Sequence, residues 1–231
     1  MRPNQAAQAP PLPHASRWDR GLYLLDQALA RLTGSRCRLL KYYVVSQPVG
    51  AGLLPARRGD SIAVREIFAG DPLLEALGRP ASVIASRYAQ GARCLAATKD
   101  DQFAGCIWFV VGPYEEDEVR CRFEPLPQGE RAWDFDVFIA EVFRGSLVFP
   151  KLWTEASKLM QQLGVGKTLS RISAFKPESL AAHSRLGARP IARCVFLKLW
   201  RAEIALLRGG NGPLLALSMS ARGRPVMRLI T

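Results

Sequence analysis

Residues 133–149 read WDFDVFIAEVFRGSLVF. Trp133, Phe135, Val137 and Ile139 alternate with Asp134, Asp136 and Phe138, the period of two that belongs to a strand. After Phe149 the period changes. Leu152, Trp153, Ala156, Leu159, Met160 and Leu163 recur every three or four residues, the apolar stripe of the strongest helix in the chain. Gly164 and Gly166 end it. A strand that runs through a short loop into a helix leaves backbone N–H groups and the positive end of the helix dipole at the junction, a setting suited to a pyrophosphate. Arg144 adds a fork of donors, Gly145 lets the backbone come close to a ligand, and Ser146 caps the helix or donates to an oxygen. The same residues also serve a plain strand–helix turn with a capping serine and a surface arginine.

Strand signals continue outward. Residues 168–175 read as a strand, Pro177-Glu178-Ser179 opens a short helix stopped by Gly187, and Ile191–Leu199 is again a strand. Upstream, strands are expected at Cys94–Thr98, Phe103–Val111 and Glu118–Glu124, with Glu115-Glu116-Asp117-Glu118 as a solvated hairpin tip. Ile62–Phe68 reads as a strand, with short helices at Asp71–Leu77 and Pro80–Tyr88. Near the start, Leu22, Leu25, Ala28, Leu29 and Leu32 give a helix over 19–32 one apolar stripe, and Leu39–Val45 is a strand. Leu214–Met219 and Val226–Ile230 read as a terminal hairpin or extra edge strands. Trp108, Trp153 and Phe175 are core candidates.

The fold class is therefore α/β (α+β): a mixed, mostly antiparallel central sheet flanked by helices, with a meander first and a right-handed β–α–β crossover second. The organisation expected is a disordered tail at 1–17, a helix–strand annex at 18–60, the main domain at 61–200 and an extension at 201–231.

The chain of 231 residues carries 32 Lys and Arg against 20 Asp and Glu, a net charge of +12. Such a balance excludes an acidic solvating protein and favours partners bearing phosphates or carboxylates. The basic residues are spread from Arg2 to Arg228 without a block, so nucleic acid is the disfavoured partner. Cys106–Val111 is the longest apolar run, too short for a membrane span, and the first residues lack the apolar core of a signal peptide. Five cysteines, odd in number and without a CxxC pair, read as reduced thiols of a cytoplasmic protein. Two histidines exclude a histidine-rich metal site, and no metal is expected.

Three stretches, in order, resemble the GCN5-related N-acetyltransferase (GNAT) superfamily over residues 62–200. Ile139 to Arg144-Gly145 is similar to the end of the family's fourth strand and its acyl-CoA loop. Ser170–Phe175 resembles the fifth strand, and Pro177–Ala188 the helix after it, with its Leu-Gly-Ala ending. Leu147 and Phe149 stand where that loop has small residues, Pro150 removes a donor, and Lys176 replaces the family's usual Asn. The resemblance implies acetyl-CoA or another acyl-CoA as co-substrate. Val137, Phe138 and Ile139 would hold the pantetheine arm, and Arg144, Gly145, Ser146, Leu147, Val148 and Phe149 the pyrophosphate, with Lys176 and Ser179 beyond the fifth strand. It further implies direct attack of an amine on the thioester, Asp134 or Asp136 serving as base or ammonium ligand and His183 as acid. Arg87, Tyr88 and Arg93 are the candidates for holding a small, acidic amine acceptor.

Two other readings stay open. An acidic acyl carrier protein recruited by Arg144, Lys151 and Lys158 could be the donor, or the fold could be a degenerate, non-catalytic binding module. The annex could cover the acceptor cleft, pack on a sheet edge or form a homodimer contact.

Overall fold

The computed structural model describes residues 17–50, 54–55, 58–212, 214–220 and 223–231. The disordered tail expected over 1–17 falls, but for Arg17, outside them. The elements in chain order are α1 (Arg17–Thr33), β1 (Cys37–Pro48), β2 (Ile62–Ile67), a 3-10 helix (Pro72–Leu77), α2 (Ala81–Ala89), β3 (Arg93–Lys99), β4 (Gln102–Val111) and β5 (Tyr114–Glu115). There follow β6 (Arg122–Leu126), β7 (Arg131–Ile139), a 3-10 turn (Glu141–Phe143), α3 (Val148–Gln162), β8 (Lys167–Ser173), α4 (Pro177–Arg185), β9 (Arg189–Leu199), β10 (Ala202–Arg208), β11 (Leu215–Ser218) and β12 (Val226–Ile230). The chain divides into two compact units, 1–47 with 119–121 and 171–227, and 48–118 with 122–170 and 228–231.

In the first unit the long strand β1 runs antiparallel to β9, with Leu39 opposite Leu197 and Tyr43 opposite Arg193. β9 turns into β10 through Trp200, held at a left-handed φ of 51°, and β11 adds a further antiparallel strand. A core cluster of Tyr43, Val45, Ile172, Ala174, Leu180 and Ala188 joins β1, the end of β8 and α4. β10 was not foreseen. Its alternation puts Glu203 on the buried side, where a hydrocarbon would be expected, and that carboxylate accepts from the Arg120 amide at 2.6 Å. The helix at α1 is where expected, but its apolar stripe does not face inward. Asp19 and Asp26 are the buried residues, while Leu25 and Leu32 are exposed.

In the second unit the strand order is β8-β7-β4-β3-β2, antiparallel except for the parallel pair β7–β8 that α3 connects. α3 buries Leu152, Trp153, Ala156 and Met160 of the stripe read from the sequence, and Val148 besides, while Leu159 is half-buried and Leu163 exposed; it packs on β2, β3, β4 and β7. β5 and β6 pair in a second, small sheet. The strand expected at Glu118–Glu124 is found only from Arg122 onward, as β6. The acidic run is solvated at Glu115, Asp117 and Glu118 but not at Glu116, which is buried and accepts the Trp133 indole N–H at 2.9 Å, and Asp117 binds Arg87. A buried indole donor needs an acceptor, and the run supplies it.

β7 is not regular. Its register with β4 shifts between Cys106 and Trp108, where Asp136 and Val137 oppose one residue, and Asp136 takes a φ of +47°. This is a β-bulge. Opposite its far end sits Gly105, where a Cβ would lie 2.5 Å from the Phe138 carbonyl oxygen. Only glycine admits that approach. The bulge also ends the alternation read from the sequence: Phe138 is exposed, whereas Trp133, Asp134 and Phe135 are buried on both faces of the strand.

Candidate functional site

The parallel pairing of β7 with β8 covers Arg131–Trp133 against Lys167–Leu169. β7 then continues through the bulge to Ile139 and enters the turn at Glu141–Phe143. Arg144 N donates to the Glu141 carbonyl at 3.2 Å and Ser146 N to that of Phe143 at 3.2 Å. The Ser146 hydroxyl donates to the Phe143 carbonyl at 2.6 Å and accepts from Val148 N at 3.3 Å. Among the described residues, no hydrogen-bond partner is found for the amides of Gly145 and Leu147. Gly145 has a φ of +78° with open space where a Cβ would stand. The Arg144 side chain is 63% exposed and meets Glu141 only at 4.0 Å. Phe149 lies against Trp153 edge-on, with ring centroids 6.4 Å apart. The junction thus offers two open amides, an extended guanidinium and the start of a fifteen-residue helix, a combination that fits an anion.

Two carboxylates on β7 have opposite surroundings. Asp134 is 1% exposed. Thr168 hydrogen-bonds its Oδ1, and its Oδ2 has no partner. Burial drives its carboxyl up to about 8, against the pull of Ser170 and the backbone. Asp136 is the contrary case. Arg79 binds it with two hydrogen bonds, at 3.0 and 2.5 Å, and Arg87 with a third at 2.6 Å. Burial pushes this carboxyl up, but the two guanidiniums outweigh it and hold it below the usual carboxylate range.

Arg87 joins Asp136 to Asp117, which it binds at 2.6 Å, and its guanidinium lies 5.2 Å from the ring centres of Trp108 and Phe135. The two negative charges raise its pKa although burial works the other way. All of these partners lie on the protein itself, and the guanidinium is 3% exposed. The other acceptor candidates are engaged too. The Tyr88 hydroxyl donates to the Ile67 carbonyl at 2.8 Å, and Arg93 makes a fork to Glu66 at 2.6 Å on both arms. The basic rim is partly neutralised: Lys151 and Lys158 both bind Glu155, at 3.1 and 3.0 Å.

His183, Lys176 and Ser179 belong to α4 and its start, in the first unit. Lys176 is exposed and Ser179 half-buried. His183 is buried with Nδ1 3.2 Å from Gln47 Oε1. Burial lowers its pKa to about 4, so the ring is neutral at pH 7 and holds no imidazolium proton. Sequence reasoning missed Thr168, Arg79, Glu116 and Asp117. The close spacing of acids at 115–118 ahead of two acids in WDFD was a signal for the last two. Nothing local marks Arg79, which reaches Asp136 across 57 residues.

No protein-family profile matches the chain, and no curated protein matches it. Among solved structures it is similar to a functionally unknown conserved protein from Staphylococcus epidermidis, at 11% identity and a TM-score of 0.49, over 81% of this chain and 67% of that one. It is also similar to a putative acetyltransferase from the GNAT family of Novosphingobium aromaticivorans, at 12% identity and a TM-score of 0.46, over 68% and 63% of the two chains. A third is an aminoglycoside acetyltransferase from an uncultured soil metagenomic sample in complex with sisomicin, at 10% identity and 0.40, over 55% and 88%. The chain spans less than two thirds of the length of the second of these.

Proposed function

We propose that the chain is an N-acyltransferase that moves an acetyl or other acyl group from acyl-CoA to the amino group of a small, acidic acceptor. The observation that supports it is the junction at the end of β7, where the open amides of Gly145 and Leu147 stand beside the exposed Arg144 at the start of α3. Those groups would take the donor's pyrophosphate. The bulged stretch Val137–Ile139 would lie along the pantetheine arm, with backbone N–H groups that polarise the thioester carbonyl.

The two carboxylates divide the remaining work. Asp136, neutralised by Arg79 and Arg87, is a poor proton acceptor and fixes the bulge. Asp134 has an unengaged oxygen and a raised pKa, the properties of a base working near neutral pH. The acceptor amine attacks the thioester carbon, the new C–N bond forms as C–S breaks, Asp134 takes the amine proton, and the sulfur leaves as thiolate. His183, neutral and buried on α4, is assigned no proton in that step. Acyl-CoA is preferred to a carrier protein because Glu155 engages both lysines of the basic rim.

The test is thiol release from acetyl-CoA in the presence of a panel of amines with and without carboxylates. Release with carboxylate-bearing amines, lost in Asp134→Asn, supports the proposal. Donor binding without release from any amine would leave a non-catalytic binding module in its place.

A further inference from the structure

A helix on the surface of a globular protein ordinarily turns its leucines inward and its charges out. α1 departs from this: of its leucines only Leu22 and Leu29 are half-buried, the others are exposed, and its acids face inward. Its only two acids are buried: Asp19 binds Lys41 Nζ at 2.6 Å, and Asp26 takes Arg38 Nε at 2.7 Å and the Leu39 amide at 2.9 Å. Outward point Trp18, 83% exposed, Leu24, Leu25 and Leu32, the last 85% exposed. Spacings of seven from Trp18 to Leu25 to Leu32 set them in one stripe about 21 Å long at about 1.5 Å per residue. Trp200, also exposed, adjoins its C-terminal end, since Trp200 N donates to the Arg36 carbonyl at 2.8 Å.

The charge around this stripe has one sign. Arg17, Arg20 and Arg31 are exposed along α1, and no acidic partner is found for them among the described residues. Arg36 and Arg201 flank the Trp200 ring at 5.7 and 5.5 Å. With the helix's acids withdrawn into ion pairs, the outer face carries apolar side chains and positive charge only. A second copy would bring arginine against arginine. An anionic surface with an apolar layer beneath complements both features, and tryptophans at the two ends of an amphipathic helix suit the boundary between headgroups and acyl chains.

We propose that the outer face of α1, extended by Trp200, docks on a membrane surface that carries anionic phospholipid. The helix lies in the interface. No helix of the described residues is long and apolar enough to cross a membrane, and none is needed. The proposal is independent of the acyltransferase reading.

Flotation of the full chain with vesicles tests it. Binding to phosphatidylcholine vesicles containing phosphatidylglycerol, weak or absent on phosphatidylcholine alone and falling with added salt, is the expected result. Each arginine changed to glutamine at 17, 20 or 31 should lower partitioning about fivefold. Leu25→Glu with Leu32→Glu should abolish it with circular dichroism and melting unchanged, both sites being exposed. Equal failure to float with either vesicle overturns the proposal. So does a dimer in light scattering that Leu25→Glu and Leu32→Glu convert to monomer without any flotation, which would assign the face to a second copy.

Discussion

Replacing Asp134 by asparagine separates the environment of one carboxyl group from everything else. Asparagine keeps the shape and the bond with Thr168 but cannot ionise. Burial holds the native carboxyl at about 8, against an ordinary value of 3.8. A raised acid favours the folded state while it is protonated. Its contribution is whole below about pH 4, declines as the pH rises through the interval, and is gone above about 8. Moving a titration midpoint by one pH unit corresponds to about 1.36 kcal/mol, so the wild type should lose on the order of 4 kcal/mol by pH 7 relative to acid pH through this group alone. Urea unfolding at closely spaced pH values, for wild type and Asp134→Asn, gives the difference directly. Stability of the variant should be flatter in pH, and the two curves should part between pH 4 and 8. Parallel curves would show that Asp134 ionises like an exposed carboxylate, and its assignment as the base would go with that result.

The clamp on Asp136 predicts an asymmetry. Arg87→Ala leaves the largely buried bulge carboxylate of Asp136, and the exposed Asp117, without their buried partner and should cost about 3 kcal/mol, whereas Arg79→Ala, whose side chain is 47% exposed, should cost about 1 kcal/mol or less; chemical denaturation of the two variants checks it, and equal losses would contradict the reading. For His183, carbon-detected NMR titration should find the ring neutral down to about pH 5, with a midpoint near 4. A midpoint near 6.5 would restore it as a proton donor, and His183→Ala should then lower turnover as much as Asp134→Asn.

The strand and helix on either side of Arg144 were legible because each period is carried by large apolar residues that the fold buries: Trp133 and Phe135 in β7, and Leu152, Trp153 and Met160 in α3. The interruption at Asp136 was not, because a bulge depends on the partner strand. Its signals are Gly105, far away in sequence on β4, and two arginines that only the folded chain brings to the carboxylate. The acidic run at 115–118 reads as surface by composition. Three of its acids are exposed, but Glu116 is drawn inside by the Trp133 indole and Asp117 is engaged by the Arg87 guanidinium, neither of which is visible locally. α1 misled for a related reason. Leucines at helical spacing mark the apolar face but not what it faces, and the ion pairs with Arg38 and Lys41 on β1 turn it outward. β10 was lost because its alternation includes Glu203, a charge whose buried acceptor role depends on the distant Arg120 amide.

The most direct measurement is a calorimetric titration of acetyl-CoA into the wild type and into Arg144→Ala. Saturable one-to-one binding is expected in the first. In the second, about tenfold weaker affinity is expected at unchanged melting temperature, the loss of one charge-assisted contact to phosphate. The same affinity in both proteins, or no binding in the wild type, would contradict the assignment of the β7–α3 junction as the donor site.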